Sequence, residues 1–206
     1  MKIQVKDFKK IIIRMSEIII RNEKYFCELD SAAGDGDFGM SLAKGFKEIQ
    51  RQVGDIEDRS IDQLLMKCSM IITEYCGGAT GPIWGGAFRS AAKSTQNKES
   101  LDLADVSEMF QAAIIGIQKR GGAKLGEKTL LDALILAGDA LKKAADQKMT
   151  FKEAFKMAAA SARVGAELTK SMVAAKGRAS YLGERSLNHP DAGAVAVSVI
   201  FNEMIN

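Results

Sequence analysis

The sequence predicts an all-α protein, arranged as an antiparallel up-and-down bundle or barrel of eight helices. Alanine, leucine, lysine and glutamate, which favour helix, are abundant, and only two of the 206 residues are proline. Apolar side chains recur at helical spacing, and no alternating pattern of useful length indicates a strand. Because 47% of the residues are hydrophobic and no linker or internal repeat divides them, we expect residues 1–206 to form one domain.

Eight helical segments follow one another along the chain. Apolar residues at helical spacing indicate a first helix over about residues 5–27 and a second over about residues 40–54. Ser60 can cap a third helix, whose apolar face extends to Ile72. We predict the remaining helices at about residues 83–93, 106–119, 130–143, 151–172 and from residue 191 onward.

Composition and charge exclude several classes of protein. The net charge is only +3 and no long basic run is present, so nucleic acid is not expected as a main partner. The apolar runs are far shorter than the ~18 residues that span a bilayer, and the first residues do not form a signal peptide, so we expect a cytoplasmic protein without a membrane partner. Cys27, Cys68 and Cys76 lack C-x-x-C spacing and are expected to be reduced, packed thiols.

One stretch, D-S-A-A-G-D-G-D-F-G at residues 30–39, concentrates three carboxylates among three glycines. Asp30, Asp35 and Asp37 fall close together, and carboxylates this close repel one another unless a cation lies between them. Glycine lets the backbone turn tightly around a ligand, and hard oxygen ligands on a loop suit Mg²⁺ together with phosphate. The stretch therefore indicates a metal–phosphate site, and the residues leave open the alternative of a solvated acidic turn.

Two familiar motifs do not fit this stretch. Its glycines spell G-x-G-x-x-G, but the dinucleotide-binding fingerprint requires a preceding strand, and the residues before it are helix-like. An EF-hand requires an oxygen ligand and a glutamate at positions where Gly39 and Phe46 stand. We therefore exclude a dinucleotide-binding strand–turn–helix and an EF-hand.

A second glycine-rich stretch, G-G-A-T-G-P-I-W-G-G-A, occupies residues 77–87. Pro82 is expected to stop or kink a helix here. The stretch is typical of a tight turn between helices, and equally of a loop that presents backbone amides and the Thr80 hydroxyl to an anion. The residues alone leave both interpretations open.

Two polar stretches follow in the second half of the chain. Residues 120–129, R-G-G-A-K-L-G-E-K-T, are not a Walker A motif, because Glu127 precedes Lys128 where that motif requires glycine. We expect them to form a flexible basic loop that faces a helix start. Residues 177–188 are expected to form a long polar loop that carries Arg178.

The order of these stretches predicts that they meet. In an up-and-down arrangement, the loops after the first, third, fifth and seventh helices lie at the same end. Those are the four loops that contain the aspartates, the two glycine-rich stretches and Arg178. We therefore expect one composite site at one end of the bundle.

Four motifs together resemble the L subunit of dihydroxyacetone kinase, in the same order and over nearly the whole chain. They are G-D-G-D-F-G, G-G-A-T-G-P-I-W-G, G-A-K-L-G-E-K-T-L-L-D-A-L and G-R-A-S-Y-L-G-E-R-S-L-N-H-P-D-A-G-A. The resemblance implies an eight-helix barrel with a nucleotide and two Mg²⁺ ions at its rim. It further implies that an M subunit of the phosphotransferase system rephosphorylates bound ADP, and that the resulting ATP phosphorylates dihydroxyacetone held by a K subunit.

The resemblance also assigns roles to residues. Asp30, Asp35 and Asp37 are expected to bind the metal ions. The nucleotide is expected to contact Phe38, Gly39, Met40, Ser41, Gly78, Ala79, Thr80, Gly121, Leu130, Arg178, Asp191, Ala192 and Gly193. Arg178 is also expected to be catalytic, because a guanidinium can stabilise the charge that spreads over a moving phosphoryl group.

Three positions depart from the family pattern. Phe38 stands where histidine is usual, so a nucleotide contact is either lost or replaced by packing. Ala192 stands where proline is usual, whereas Thr80 in place of serine keeps the hydroxyl.

Two alternatives to the leading function stay open: a kinase for another small ketose such as erythrulose, and a nucleotide-sensing regulator that binds a transcription factor. The sequence leaves the oligomeric state open, including a homodimer.

Overall fold

The computed structural model describes residues 2–54 and 60–205. Within them, the chain forms nine α-helices, two 3₁₀ helices and two strands of two residues each. The α-helices are α1 (Val5–Arg21), α2 (Glu23–Ser31), α3 (Phe38–Val53), α4 (Ile61–Tyr75), α5 (Thr80–Ser94), α6 (Leu103–Gly121), α7 (Leu130–Asp146), α8 (Phe151–Leu168) and α9 (Ala192–Met204). The prediction of an all-α fold is confirmed.

The helices form a closed ring around a shared apolar core. Going around the ring, α1 packs on α3, each helix from α3 to α9 packs on the next, and α9 packs on α1. The ring therefore has eight positions, because α1 and α2 follow one another in the first position. The largest completely buried side chains include Phe26, Phe46, Leu42, Ile72 and Leu131, and their burial removes apolar surface from water.

The predicted first helix is wrong in one respect, because it breaks at Asn22. This residue leaves the helical conformation, with φ −94° and ψ 9°, although neither glycine nor proline is nearby. Its side-chain amide donates to the Ile18 carbonyl at 2.9 Å and to Glu203 Oε1 of α9 at 3.0 Å, and Arg21 forms an ion pair with the same carboxylate. The break redirects α2, which ends within the aspartate stretch.

The end of the ring opposite that stretch is closed by backbone hydrogen bonds. Strands β1 (Ile3–Gln4) and β2 (Ser100–Leu101) pair antiparallel, and the Ile61 amide donates to the Lys98 carbonyl at 2.9 Å. Strands of two residues are too short to leave an alternating pattern. Ser60 precedes α4 as predicted, but its side chain makes no capping hydrogen bond.

An apolar cavity of about 180 Å³ lies inside the ring. Side chains of seven helices line it, among them Phe8, Trp84, Phe88, Leu130 and Phe201, and every lining residue is apolar. An apolar lining offers no partner to a phosphate or a metal ion, so we place the functional site elsewhere. Among the described residues, no helix combines the length and the apolar character that crossing a membrane requires.

We expect a thiol reagent to modify Cys27 in the native protein and to spare Cys76. All three cysteines are free, but Cys68 and Cys76 are buried whereas Cys27 is half-buried. Burial raises the pKa of the Cys76 thiol to about 11, so only about one molecule in a thousand carries the reactive thiolate at pH 8. Peptide mass spectrometry after labelling tests this, with urea-unfolded protein as the fully labelled control. Equal native labelling of Cys27 and Cys76 would contradict it.

Candidate functional site

Four loops meet at one end of the ring, as the order of the motifs predicts. The Ser41 hydroxyl donates to the Gly77 carbonyl at 3.0 Å, which joins the start of α3 to the loop before α5. The Ala175 amide donates to the Glu127 carbonyl at 3.2 Å, which joins the loop before α7 to the segment before α9. Arg178 of that segment reaches back to Asp35. These contacts bring the four loops into one composite surface.

The aspartate stretch is held in shape by its own backbone. Asp30 lies in the last turn of α2, and the Gly36 amide donates to its Oδ2 at 2.9 Å. Gly36 has a φ of +76°, a conformation that favours glycine. Asp37 precedes α3, and its carbonyl accepts the Ser41 amide at 2.9 Å. The turn thus aims three carboxylates at a common point.

The three carboxylates form a cluster that could hold a hard cation. One carboxylate oxygen each from Asp30, Asp35 and Asp37 lies within 4.8 Å of the others, and Asp30 is half-buried whereas the other two are exposed. Oxygen-only ligands of this kind fit Mg²⁺. In this structure the Arg178 guanidinium donates to Asp35, which offsets part of the repulsion within the cluster.

The residues after the cluster form the first turn of α3. Phe38 is half-buried, and its ring centroid lies 6.2 Å from that of buried Phe26, so packing occupies the position where the family has histidine. Gly39 is buried, and a Cβ there would overlap the Glu23 carbonyl. Met40 is exposed, and its amide donates to the Cys27 sulfur at 3.3 Å. The positive end of the α3 dipole faces the cluster, a favourable place for phosphate.

The loop before α5 is shorter than predicted. The helix begins at Thr80 rather than at Ile83, and Pro82 lies in its first turn, where a missing amide proton is tolerated. Gly78 has a φ of +56°, and both Gly78 and Ala79 are exposed on the surface of the loop. Pro82 therefore neither stops nor kinks α5.

The loop before α7 differs most from its sequence-based interpretation. Asp132 is buried and accepts the Thr129 amide at 2.7 Å and the Gly126 amide at 2.5 Å, so the loop is firmly hydrogen-bonded. Lys128 is also buried, with only 2% of its surface exposed. The expectation of a flexible basic loop was therefore wrong for Lys128, because its cation points into the protein.

Two predicted nucleotide contacts flank this loop. Gly121 is the last residue of α6, and a Cβ there would lie 3.0 Å from Ile83 of α5. Leu130 is the first residue of α7 and lies on the wall of the apolar cavity. A Cβ on Gly193 of α9 would lie 3.2 Å from the Leu130 Cβ, so the starts of α7 and α9 are in close contact.

The segment between α8 and α9 is more ordered than a polar loop. Helix α8 ends at Leu168 instead of residue 172, and a 3₁₀ helix spans Arg178–Ser186 with a break at Gly183. Apolar spacing cannot reveal 3₁₀ turns of this length. Arg178 is exposed at the start of that helix, which lets its long side chain reach Asp35.

The start of α9 completes the composite surface. The Asp191 carboxylate caps the helix by accepting the Ala194 amide at 2.8 Å. Burial raises the pKa of Asp191 to about 6, although the Ala194 amide and the Lys128 ammonium oppose the shift. Ala192 is buried at the first helical position, where proline is favoured and alanine adopts the same backbone without strain.

Every residue that the sequence assigns to the site thus lies in one of the loops at this end or in the helix turns that adjoin them. The sequence assigned no role to Lys128, Asp132 or Cys27, which connect those loops. The T-x-x-D spacing of Thr129 and Asp132, which is typical of a capped helix start, was a signal for Asp132 but not for Lys128. Cys27 offered no such signal, since only the fold brings it to Met40.

Comparisons with known proteins agree with these motifs. A family model described as the DAK2 domain matches residues 32–206. The chain is 35% identical over 186 residues to the PEP-dependent dihydroxyacetone kinase, ADP-binding subunit DhaL, of Escherichia coli, which covers 90% of this chain and 89% of the relative. It is 31% identical over 196 residues to the L-erythrulose 1-kinase of Mycolicibacterium smegmatis, covering 94% of this chain and 34% of that protein.

A solved structure shows the same fold. The dihydroxyacetone kinase from C. freundii in complex with AMP-PNP and Mg²⁺ matches with a TM-score of 0.75 at 22% identity, covering 96% of this chain and 33% of that one. At 22% identity the structural similarity shows the fold alone, whereas the sequence matches show the family. The chain therefore belongs to the DAK2 domain family and, as its four motifs predict, to the dihydroxyacetone kinase L subunits within it.

Proposed function

We propose that this chain is the ADP/ATP-carrying subunit of a dihydroxyacetone kinase. It transfers the γ-phosphate of its nucleotide to dihydroxyacetone on a K subunit, and an M subunit of the phosphotransferase system rephosphorylates the ADP in place. The observation that carries the proposal is the convergence of four loops around the cluster of Asp30, Asp35 and Asp37. The 35% identity to a PEP-dependent ADP-binding subunit supports it.

The cluster is the part of the site that binds metal. Asp30, Asp35 and Asp37 would hold Mg²⁺, and two ions would be needed to offset the charge of a triphosphate. Bound Mg²⁺ supplies electrostatic stabilisation of the phosphate oxygens. Exposure of Asp35 and Asp37 leaves the outer side of the cluster accessible to phosphate oxygens and water.

The nucleotide would lie between the loops that flank the cluster. Phe38, Gly39, Met40 and Ser41 present the start of α3 to the phosphates. Gly78, Ala79 and Thr80 lie at the start of the neighbouring α5, and Gly121 and Leu130 offer an apolar edge beside it. Asp191, Ala192 and Gly193 close the opposite side from α9.

Arg178 has two roles in this proposal. In this structure its guanidinium pairs with Asp35. With Mg²⁺ and nucleotide bound, we infer that it turns to the phosphates and stabilises the charge that develops during transfer. The guanidinium is exposed at the end of a flexible side chain, so it can exchange Asp35 for the phosphates without movement of the helices. The remaining catalysis is positioning, with the nucleotide kept as a bound cofactor.

Mass spectrometry of gently purified protein tests the proposal directly. We expect the intact mass under native conditions to include ADP and magnesium, and calorimetric titration to show tight binding of Mg-ADP. Protein that neither retains nor binds an adenine nucleotide would overturn the proposal.

Replacing Asp35 with asparagine is expected to weaken Mg-ADP binding by at least about tenfold. The substitution keeps the size of the side chain but removes one of three negative charges that hold the cation. Titration calorimetry measures the change. Asp146→Asn at the far end of α7 is the matched control and should bind as the natural protein does. If Asp35→Asn binds with unchanged affinity, the metal assignment is wrong.

A second candidate is an L-type subunit of a kinase that uses exchangeable ATP on another small ketose. The similarity to an L-erythrulose 1-kinase favours it, although this chain spans only 34% of that protein. The two candidates differ in how the nucleotide is recharged. Bound ADP that exchanges rapidly with free ATP would favour the second, whereas phosphorylation in place by a PEP-driven M subunit would favour the first. Binding to a transcriptional regulator and formation of a homodimer stay predictions.

A further inference from the structure

Residues 170–190 form a loop between α8 and α9 whose two ends lie side by side; we call it the Arg178 loop. At its base, the Asp191 amide donates to the Thr169 hydroxyl at 2.9 Å. The Asn188 amide donates to the Lys170 carbonyl at 2.8 Å. The loop therefore leaves and rejoins the ring through one narrow base, and the geometry of that base determines where Arg178 lies.

Lys128 holds both sides of this base. Its ammonium donates to the Thr169 carbonyl on one side and to the His189 carbonyl, at 2.6 Å, on the other. Burial lowers the pKa of Lys128, and the nearby carboxylates of Asp191 and Asp132 oppose that shift by favouring the charged ammonium. One cation from the loop before α7 thus ties together the two sides of this base, although Thr169 lies 41 residues later in the chain.

Two unfavourable contributions to the free energy of folding oppose the buried position of Lys128. A buried ammonium loses its hydration, and carbonyl contacts have to replace it. Lys128 also has a φ of +59°, which is unusual for a residue with a side chain. Such strained, buried polar residues cluster where a site requires accurate geometry, whereas an apolar side chain could fill the same space for packing alone.

Further hydrogen bonds within the Arg178 loop connect its base to the part that carries Arg178. The Ala174 amide donates to the Ser186 hydroxyl at 3.0 Å, which joins the two sides of the loop above the base. The Ala175 amide donates to the Glu127 carbonyl, next to Lys128 itself. Arg178 follows three residues later and pairs with Asp35.

We propose that Lys128 is a positioning residue for phosphoryl transfer: it fixes the base of the Arg178 loop, so that the guanidinium of Arg178 lies over the aspartate cluster. This proposal rests on the function proposed above for Arg178. Lys128 itself touches neither the metal nor the nucleotide in this scheme, and it acts through the loop.

The test compares Lys128→Met with Lys148→Met. Lys148 is an exposed lysine that also has a positive φ, of 54°, so it controls for the loss of a lysine in a left-handed turn. For Lys128→Met we expect amide exchange in residues 174–188 to accelerate at least tenfold. We expect turnover of the kinase, reconstituted with its K and M subunits, to fall ten- to a hundredfold. Lys148→Met should match the natural protein in every measurement.

A double-mutant cycle separates positioning from general damage. Because Lys128 acts through Arg178, Lys128→Met should have little further effect on turnover in an Arg178→Ala background. The proposal would be overturned if the losses of turnover in the two single variants multiplied in the double variant. It would also be overturned if Lys128→Met had the same amide exchange and turnover as the natural protein. If Lys128→Met folds poorly, Thr169→Val replaces it, because this change loosens the same base without removing a charge. The double-mutant cycle of Thr169→Val with Arg178→Ala then tests whether the base acts through Arg178. Amide exchange is measured without nucleotide, so a failed nucleotide proposal would leave that result intact.

Discussion

Replacing Arg178 with alanine should slow phosphoryl transfer by about a hundred- to a thousandfold, the usual effect of losing one donor to a developing charge. The same change should strengthen Mg²⁺ binding in the absence of nucleotide. The guanidinium pairs with Asp35 in this structure and so would compete with the cation. Since the pair is largely exposed, it contributes at most about 1 kcal/mol, which limits the gain in Mg²⁺ affinity to about fivefold.

Two measurements on one variant test this prediction. Calorimetric titration with MgCl₂ alone gives the first effect, and single-turnover phosphoryl transfer to dihydroxyacetone on the K subunit gives the second. Arg185→Ala is the matched control, because Arg185 is an exposed arginine of the same 3₁₀ helix. If Mg²⁺ affinity falls in Arg178→Ala, the guanidinium supports the metal site instead of competing for it, and the exchange of partners is wrong.

Replacing Gly165 with alanine should lower the free energy of unfolding by about 3 kcal/mol, at the upper end of typical overpacking effects. A Cβ on Gly165 of α8 would overlap the Asp132 carbonyl and lie 2.7 Å from the Ala133 Cα of α7. Both obstacles are backbone, so no side chain can turn away. The better helix propensity of alanine, about 1 kcal/mol, recovers only part of this loss.

Urea denaturation of a matched pair measures the effect. In Gly86→Ala the new Cβ meets no atom within 4 Å, so only helix propensity changes and stability should rise by about 0.5–1 kcal/mol. Equal stability of the two variants would contradict the close contact of α7 and α8. Because Asp132 holds the loop before α7, Gly165→Ala should also weaken nucleotide binding, whereas Gly86→Ala makes no such contact.

Much of the fold could be predicted because each helix carries its own apolar pattern. Residues such as Leu42, Phe46 and Ile49 mark a buried face without any knowledge of their neighbours, and all three are completely buried. The parity of the loops then predicted which turns meet. Local pattern and chain order together were sufficient for the ring and for the end that carries the candidate site.

The remainder depends on contacts between distant parts of the chain. Asn22 breaks its helix where Glu203 of α9 accepts its amide, a partner 181 residues away. Lys128 looked like a surface cation until the fold placed the Thr169 and His189 carbonyls around it. Such pairings between distant residues leave no local pattern in the sequence. Neither the break of the first helix at Asn22 nor the burial of Lys128 could therefore be predicted.

The contact that closes the ring has a consequence for biosynthesis. Arg21 and Glu203, which join α1 to α9, are 182 residues apart, and chains leave the ribosome N-terminal end first. The aspartate cluster therefore emerges long before Arg178, which pairs with Asp35, and before α9, which closes the ring. A nascent chain arrested before α9 should therefore retain no nucleotide, because the wall of the proposed nucleotide site that α9 supplies is still missing.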